Sequence, residues 1–187
     1  MSKGKLIVMS GPSGVGKGTV VKRLLSECDN LRLSVSATTR APRTEDKEGV
    51  TYFFKTESEF KNMIDTDSFL EWAVYNGNYY GTPIAPVMKQ LDDGLDVILE
   101  IDVQGALNVM NKFKDAVYIF IAPPSVDTLK ERLEGRGSES PEEIEKRVKA
   151  AESELDKKDN YDYVVINDVL DKAVENVKNI IEGKDVL

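Results

Sequence analysis

The 187-residue sequence contains no histidine and a single cysteine, Cys28. Without histidine, the chain has no imidazole to act as a general base, a proton shuttle or a metal ligand. One cysteine excludes an intramolecular disulfide framework and any metal site built from several thiolates. We expect Cys28 to be a buried thiol on the first helix. The chemistry of this protein must therefore rest on other side chains and on the backbone.

Basic residues are outnumbered, with 25 lysines and arginines against 33 acidic residues and a formal net charge of −8. This balance argues against general binding to nucleic acid or to an anionic membrane. Long apolar runs are also lacking: the run at residues 6–9 is too short for a signal peptide, and no span approaches membrane length. We expect a cytoplasmic protein, and the length suits one globular unit.

A glycine-rich loop stands directly after the apolar run Leu6–Met9 and reads G-P-S-G-V-G-K-G-T. Its first three glycines let successive backbone N–H groups converge on phosphate oxygens, and Lys17 adds a positive charge where a helix begins. Gly18 stands where the common pattern has a hydroxyl for Mg²⁺, and Thr19 follows. The loop thus predicts nucleotide binding, and direct Mg²⁺ coordination by it stays open. The predicted phosphate-binding residues are Gly11, Pro12, Ser13, Gly14, Val15, Gly16, Lys17, Gly18 and Thr19.

Short apolar runs alternate with helical patterns, which predicts an α/β fold with a mostly parallel sheet covered by helices. The expected core strands lie at residues 6–9, 96–102, 117–122 and 163–166. From residue 34 the composition shifts to Thr, Ser, Tyr, Phe and Gly, which predicts an inserted β-rich lobe. A charged stretch carries the capping box S-P-E-E at 140–143 and predicts a helical insertion. We expect a core at about 1–33, 92–124 and 158–187, a lobe at about 34–91 and a helical segment at about 125–157.

The segment S-A-T-T-R-A-P-R, beginning at Ser36, places hydroxyls and two arginines, Arg40 and Arg43, within eight positions. Arginine presents a planar fork of donors that suits phosphate oxygens. On this segment alone, a solvated basic loop explains the pattern equally well. Tyr52 and the run Asn78–Thr82 add phenols and hydroxyls that can complete one pocket, which favours a monophosphate site. A monophosphate is already mostly a dianion at neutral pH, so its attack on a phosphoryl group needs no general base.

Three acidic residues stand beside apolar runs. Glu71 lies within F-L-E-W-A, and Glu100 and Asp102 stand two apart after a strand-like run. If that strand continues to Asp102, both side chains face the phosphate loop and can hold Mg²⁺ through its waters. The structural alternatives are a solvent-facing helix position for Glu71 and strand-end capping for the pair.

Seven motifs follow one another between Lys5 and about Ile181: G-P-S-G-V-G-K, S-x-T-T-R-x-P-R, F-L-E-W-A, G-N-Y-Y-G-T, L-E-I-D-V-Q-G, I-A-P-P-S and L-E-G-R-G. In this order and spacing they resemble the guanylate kinase family. The resemblance implies a P-loop nucleoside monophosphate kinase fold, in which the core binds ATP, the inserted lobe binds GMP and a helical lid closes over both. It implies Mg²⁺-dependent transfer from ATP to GMP or dGMP, with Mg²⁺ bridging the β- and γ-phosphates.

The resemblance also implies roles for particular residues on the acceptor side. Guanine chemistry agrees with them, because its N1–H and N2–H₂ groups donate to a carboxylate and its O6 accepts from a hydroxyl. Adenine presents the reverse, so a buried carboxylate can reject the wrong base by ~10⁴-fold. The implied contacts to the GMP phosphate are Arg40, Arg43, Tyr52 and Tyr80, and those to guanine are Ser36, Glu71, Thr82 and Asp102.

On the donor side, lid arginines that arrive on closure stabilise charge on the transferred group and help to exclude water. A surface ion pair is the alternative for each of them, and Asp168 also fits a plain helix N-cap. The resemblance implies catalytic roles for Lys17, Arg40, Arg136 and Arg147. It implies ATP contacts, besides the loop, from Arg132, Arg136, Asn167 and Asp168, and a metal role for Glu100 and Asp102.

Other functions stay open at this point. A different nucleoside monophosphate kinase is one, since G-K-G-T also resembles the adenylate kinase loop, although Glu71, Ser36 and Thr82 argue against it. A noncatalytic phosphopeptide-binding module is another, because guanylate-kinase-like domains occur in membrane-associated scaffold proteins. Those domains typically lose the loop lysine, which is present here as Lys17. A signalling GTPase is disfavoured because no N-K-x-D motif follows the core strands. The sequence does not distinguish a monomer from a homo-oligomer.

Overall fold

A computed structural model describes residues 3–75, 77–135 and 140–184. Strands and helices alternate through most of the chain, with a cluster of short strands in its second quarter. The elements are β1 (Leu6–Ser10), α1 (Lys17–Glu27), β2 (Leu31–Leu33), β3 (Ala37–Thr38), β4 (Phe53–Phe54), α2 (Glu57–Asp65), β5 (Phe69–Tyr75), β6 (Asn78–Pro83), α3 (Ile84–Asp92), β7 (Asp96–Glu100), α4 (Val103–Lys112), β8 (Val117–Ala122), α5 (Val126–Glu134), α6 (Pro141–Leu155), a 3₁₀ turn (Lys158–Asn160), β9 (Tyr163–Ile166) and α7 (Leu170–Glu182).

The core sheet runs in the order β2-β7-β1-β8-β9, and each of these neighbouring pairs is parallel. Central β1 is buried along its whole length because helices cover both faces of the sheet. Ile7 and Met9 pack with α1, α5 and α7, while Leu6 and Val8 pack with α3 and α4. The predicted mostly parallel α/β core is confirmed, and the loop after β1 lies at the carboxyl edge of the sheet, where ligands of such folds bind.

The predicted strand at 96–102 ends earlier than expected. β7 stops at Glu100, and Asp102 is instead the N-cap of α4. The Oδ1 of Asp102 accepts a 2.6 Å hydrogen bond from the Gly105 N–H. The premise of one strand carrying both carboxylates was therefore wrong, because capping turns the chain into the helix. Edge strand β2 was not predicted, since three residues are too few to give a pattern.

The inserted lobe has its own sheet, in the order β4-β3-β6-β5, with α2 packed on it. β5 and β6 form an antiparallel hairpin in which Tyr75 pairs with Asn78. The lobe also has its own apolar cluster, in which the rings of Phe60 and Phe69 stack with centroids 4.4 Å apart. The lobe thus has a small core of its own, while Leu70 of β5 packs into the apolar cluster of the main sheet and joins the two.

The helical insertion contains α5 and α6. α6 begins with the predicted capping box: the Glu143 N–H donates to the Ser140 hydroxyl, and the Ser140 N–H donates to the Glu143 carboxylate. Pro141 occupies its first turn, as expected. The predicted lid residue Arg136 lies outside the described residues.

Two smaller expectations need correction. The N-cap of α7 is Val169, so Asp168 does not cap that helix. Cys28 is the C-cap of α1 and is only partly buried, although this burial still raises the pKa of its thiol. Across the described residues, no helix has the length and apolar character needed to span a membrane.

Candidate active site

The glycine-rich loop joins β1 to α1 in a conformation that its glycines permit. Gly11 has φ 142°, and a Cβ there would lie 2.1 Å from the Ile121 carbonyl oxygen. Gly16 caps α1 in the left-handed region at φ 96°. The N-terminal end of α1 therefore borders a cavity of about 560 Å³. The cavity is lined by Ser13, Gly14, Gly16, Lys17, Gly18, Thr19, Lys22 and Glu100.

Lys17 places its ammonium group inside the loop. Its Nζ donates to the carbonyl oxygens of Gly11 at 2.5 Å and Pro12 at 3.0 Å. Burial lowers the pKa of Lys17, and the carboxylates of Glu100 and Glu154 oppose that shift. An entering phosphate can replace the two carbonyl contacts with stronger charge-assisted bonds.

Asn167 ties the end of β9 to the same loop. Its buried side-chain amide donates to the Val15 carbonyl oxygen at 2.8 Å. A Cβ at Gly16 would lie only 2.6 Å from the Asn167 Nδ2, so glycine is required for this close approach. Asp168 is exposed beside it. The adenine contacts assigned to this pair from the sequence stay a prediction, whereas the contact with the loop is an observed feature of the fold.

Helix α6 reaches the loop directly. The Arg147 Nη2 donates to the Ser13 hydroxyl at 3.1 Å. Two turns further along α6, Glu154 is half-buried, and burial raises its pKa against the attraction of Lys17. The sequence analysis missed Glu154, although its seven-residue spacing from Arg147 places both on one helix face. Arg132 lies in the last turn of α5.

A second cavity, of about 240 Å³, lies between the inserted lobe and the end of β7. Five residues assigned from the sequence to one acceptor site meet here, and Thr82 is buried next to them and bonded to Glu71. The lining residues are Ser36, Tyr52, Glu71, Ala73, Tyr75, Tyr80, Gly81, Glu100, Ile101 and Asp102.

Glu71 is an acid of this second cavity whose pKa is shifted by its surroundings. Burial raises its pKa, nearby Asp102 adds to the shift, and the hydrogen bond from Thr82 opposes it. Glu71 lies on β5, so the alternative of a solvent-facing helix position was wrong. The neighbouring Trp72 is exposed, whereas Glu71 lines the second cavity.

Arg40 is held by Asp46 next to Tyr52, which lines the second cavity. The guanidinium Nη2 lies 2.8 Å from the Asp46 Oδ2, with only 16% and 8% of the two side chains exposed. The guanidinium also lies 5.4 Å from the centre of the Tyr52 ring. Asp46 accepts the Arg43 backbone N–H as well, and these bonds lower its pKa. The sequence analysis missed Asp46, because the charged run R-T-E-D-K offers no basis for choosing among its acids. The Arg43 side chain is exposed.

Glu100 lines both cavities and so connects them. A Cβ at Gly18 would lie 3.3 Å from the Glu100 Oε1, which places this carboxylate opposite the position lacking a hydroxyl. Desolvation raises the pKa of Glu100, and Lys17 opposes the shift. Within residues 3–75, 77–135 and 140–184, no group of three or more acidic, histidine or cysteine side chains is arranged to hold a metal ion.

A larger cavity of about 640 Å³ lies elsewhere, between α2 and α3. Its walls are mainly apolar side chains such as Met63, Ile84 and Met88. It contains none of the predicted site residues. The predicted site residues that line a cavity are therefore found in the two smaller cavities.

Comparison with known proteins agrees with this arrangement. A guanylate kinase from Caldanaerobacter subterraneus subsp. tengcongensis is 55% identical over 179 residues, covering 96% of this chain and 87% of that protein. A guanylate kinase from Bacillus subtilis (strain 168) is 52% identical over 180 residues, covering 96% and 88%. The crystal structure of guanylate kinase from Anaplasma phagocytophilum matches with a TM-score of 0.74 and 33% identity over 97% of this chain and 86% of that one.

The sequence model of the guanylate kinase family matches residues 3–184. This range includes the loop, the lobe, the lid helices and β9, so every part of both cavities falls within the match. On the strength of that coverage and of its high identity to curated members, the chain belongs to the guanylate kinase family.

Proposed function

We propose that this chain transfers the γ-phosphoryl group of ATP to GMP or dGMP, yielding ADP and GDP or dGDP. The observation that carries the proposal is the meeting, at Glu100, of an anion-binding loop with a cavity lined by carboxylates and tyrosines. The first cavity suits a polyphosphate donor, and the second suits a base and its monophosphate. The family membership of the chain supports the same reaction.

On the donor side, the loop and the first turn of α1 would hold the ATP phosphates. Lys17 would exchange its carbonyl partners for the β- and γ-phosphates. Arg147 reaches Ser13 from α6, which supports a role for it at the transferred group. Arg132, in the last turn of α5, would share this role, and the sequence assigns it to Arg136 as well, which lies outside the described residues. Asn167 and Asp168 would lie next to adenine.

On the acceptor side, the GMP phosphate would sit against Arg40, Arg43, Tyr52 and Tyr80. Arg40 is already oriented by Asp46 and Tyr52, so little side-chain entropy remains to be lost on binding. Guanine would be recognised by four other residues: Ser36, Glu71, Thr82 and Asp102. The GMP dianion is itself the nucleophile, and catalysis reduces to positioning and stabilisation of charge.

Mg²⁺ would be held mainly by the ATP phosphates and by water, with Glu100 and Asp102 accepting hydrogen bonds from those waters. The ion supplies charge neutralisation between the β- and γ-phosphates. Glu100 fits this role because its carboxylate faces Gly18 and lies within reach of the charge of Lys17. Direct ligation by the loop is not part of the proposal, because Gly18 has no hydroxyl.

The lobe at about 34–91 and the lid at about 125–157 would close on the core when both substrates are present, excluding water from the transferred group. This division of the chain is part of the proposal and is supported by the separate apolar cluster of the lobe. A cytoplasmic location is also proposed, because the reaction requires a supply of ATP and GMP.

The reaction is tested by incubating the protein with ATP, Mg²⁺ and GMP and identifying products by ³¹P NMR. ADP and GDP in equal amounts are expected, with little ADP when GMP is omitted. Lys17→Ala is expected to abolish GDP formation, whereas Lys61→Ala, at an exposed ion pair with Glu57, is expected to leave it unchanged. GMP-independent ADP release, or GMP binding without transfer, would contradict the proposal, and binding alone would favour a noncatalytic module.

A further inference from the structure

Gly105 lies in the first turn of α4 and is buried against the acceptor cavity. Its N–H donates the 2.6 Å hydrogen bond to the Asp102 Oδ1 that caps the helix. Alanine is about 1 kcal/mol more favourable than glycine in a helix interior, so the local structure gives no reason for glycine here. A reason must come from what surrounds the position.

Two carboxylates crowd the space that a side chain at position 105 would occupy. A Cβ built there lies 3.3 Å from the Asp102 Oδ1 and 3.3 Å from the Glu71 Oε2. Both distances are shorter than ordinary van der Waals contact, and both atoms belong to residues proposed to face guanine. The missing side chain thus allows acids from α4 and from β5 of the lobe to approach the same backbone position.

Each of these acids accepts a hydrogen bond from the protein. Thr82 donates to the Oε1 of Glu71, and Gly105 donates to the Oδ1 of Asp102. Both acids also line the acceptor cavity, where guanine would offer N1–H and N2–H₂. A carboxylate displaced by a few tenths of an ångström would lose the alignment that these donors require.

We propose that Gly105 is a positioning residue for base selection: the absence of its side chain holds Glu71 and Asp102 together against the N1 and N2 edge of guanine. This inference rests on the proposed function. It concerns discrimination between bases, because the atoms nearest to a Cβ at Gly105 belong to Glu71 and Asp102 and not to the phosphate loop.

Gly105→Ala tests the inference through steady-state kinetics with two acceptors. The kcat/KM for GMP is expected to fall about tenfold, equivalent to about 1.4 kcal/mol, while the KM for ATP changes less than about twofold. IMP lacks the 2-amino group, so it has fewer hydrogen bonds to the carboxylates to lose. The preference for GMP over IMP is therefore expected to fall at least about threefold. The neighbouring exposed Gln104→Ala is the control and is expected to match the wild type.

A melting-temperature cycle with Glu71→Ala tests the contact even if Gly105→Ala folds poorly. Removing the Glu71 carboxylate should relieve the crowding, so Gly105→Ala is expected to lower the melting temperature less in the Glu71→Ala background than in the wild type. Equal effects in the two backgrounds would overturn the inference, as would an unchanged preference for GMP over IMP. A wild type inactive with GMP would instead overturn the proposed function itself.

Discussion

The hydroxyl of Thr82 donates a 2.7 Å hydrogen bond to the Oε1 of Glu71, its partner across the β5–β6 hairpin. Thr82 is fully buried, so the bond orients the carboxylate of Glu71 from the protein side, and Glu71 lines the acceptor cavity. Glu71 is thus a buried acid held in one orientation at the junction of lobe and core. Two predictions about base recognition and pH follow from this pairing.

Glu71→Gln is expected to lower kcat/KM for GMP by about 100-fold or more, because the new amide group would oppose the donors of guanine. The KM for ATP is expected to stay within about twofold of the wild-type value. Initial-rate measurements with each substrate varied in turn check this. Equal losses for the two nucleotides would show that Glu71 supports the whole site rather than the base.

The pH dependence of GMP use is expected to carry the signature of Glu71. Guanine recognition needs the ionised carboxylate of Glu71, and burial raises the pKa of this group. As the pH is lowered, kcat/KM for GMP should therefore begin to fall at a higher pH than it would with a glutamate of ordinary pKa. Glu71→Gln should lack this component. The GMP phosphate titrates equally with both proteins, so the difference between the two profiles reports Glu71, and superimposable profiles would contradict the assignment.

The same raised pKa predicts a gain of stability on substitution. Folding favours protonated Glu71, so its contribution to the free energy of unfolding declines as the pH rises from its unfolded-state pKa through its higher folded-state pKa. At pH 7 the buried charge is destabilising, and Glu71→Gln is expected to unfold at a higher urea concentration than the wild type. The difference should disappear near pH 4, and a less stable variant at pH 7 would disprove this sign.

Lys17→Met is expected to reduce turnover about 1,000-fold or more while the protein remains folded. Burial lowers the pKa of Lys17, which means that the charged form is disfavoured by folding. Removing the buried charge should stabilise the fold, and losing the two hydrogen bonds to carbonyl oxygens should offset part of that gain. We therefore expect a melting temperature close to that of the wild type. Circular dichroism measures the melting temperature, and the rate of ADP release measures turnover on the same preparation. Retained turnover would refute the role of Lys17.

The core of the fold could be predicted from the sequence because its strands are buried on both faces and stand out as apolar runs. The capping box at Ser140 and the loop at Gly11–Thr19 were predictable for a similar reason, since each depends on local chemistry. The end of β7 was not, because strand and cap compete over residues 100–102 and only the Asp102 hydrogen bond decides between them.

Contacts made across the sequence were less accessible. Glu154 acquires its importance from Lys17, which is distant in the sequence, and Asp46 pairs with Arg40 six positions away, where the adjacent Glu45 is an equal candidate from the sequence. Asn167 was predicted as a ligand contact, but its bond to Val15 depends on how β9 packs beside the loop. The structure brings five of the predicted acceptor residues to one cavity, although their roles stay predictions, whereas the orienting residues Asp46 and Glu154 were not predicted.

Asn167→Ala is expected to destabilise the protein by about 1–3 kcal/mol, because the Val15 carbonyl oxygen would lose its buried partner. The loop would lose its tie to β9, so the KM for ATP should rise more than that for GMP. The exposed Asn108→Ala serves as the control. Urea unfolding measures the loss of stability, and steady-state kinetics measure the two KM values. An unchanged KM for ATP would limit Asn167 to a structural role.

Glu100→Gln is expected to raise the Mg²⁺ concentration needed for half-maximal activity about tenfold, because a neutral amide accepts hydrogen bonds from metal-bound water less strongly. Titration of Mg²⁺ at fixed ATP and GMP measures the shift. A change in maximal rate without a change in Mg²⁺ requirement would assign Glu100 to the orientation of substrate instead.

The most direct test of the central claim is the rate of ADP release from ATP and Mg²⁺ with GMP, dGMP, AMP, UMP, CMP or dTMP offered separately as acceptor. The account predicts rapid turnover with GMP and dGMP, and rates lower by ~10⁴-fold with AMP, whose N1 cannot donate to Glu71. Comparable turnover with AMP or with a pyrimidine nucleotide would contradict the reading of Glu71 and Asp102 as guanine-selecting acids.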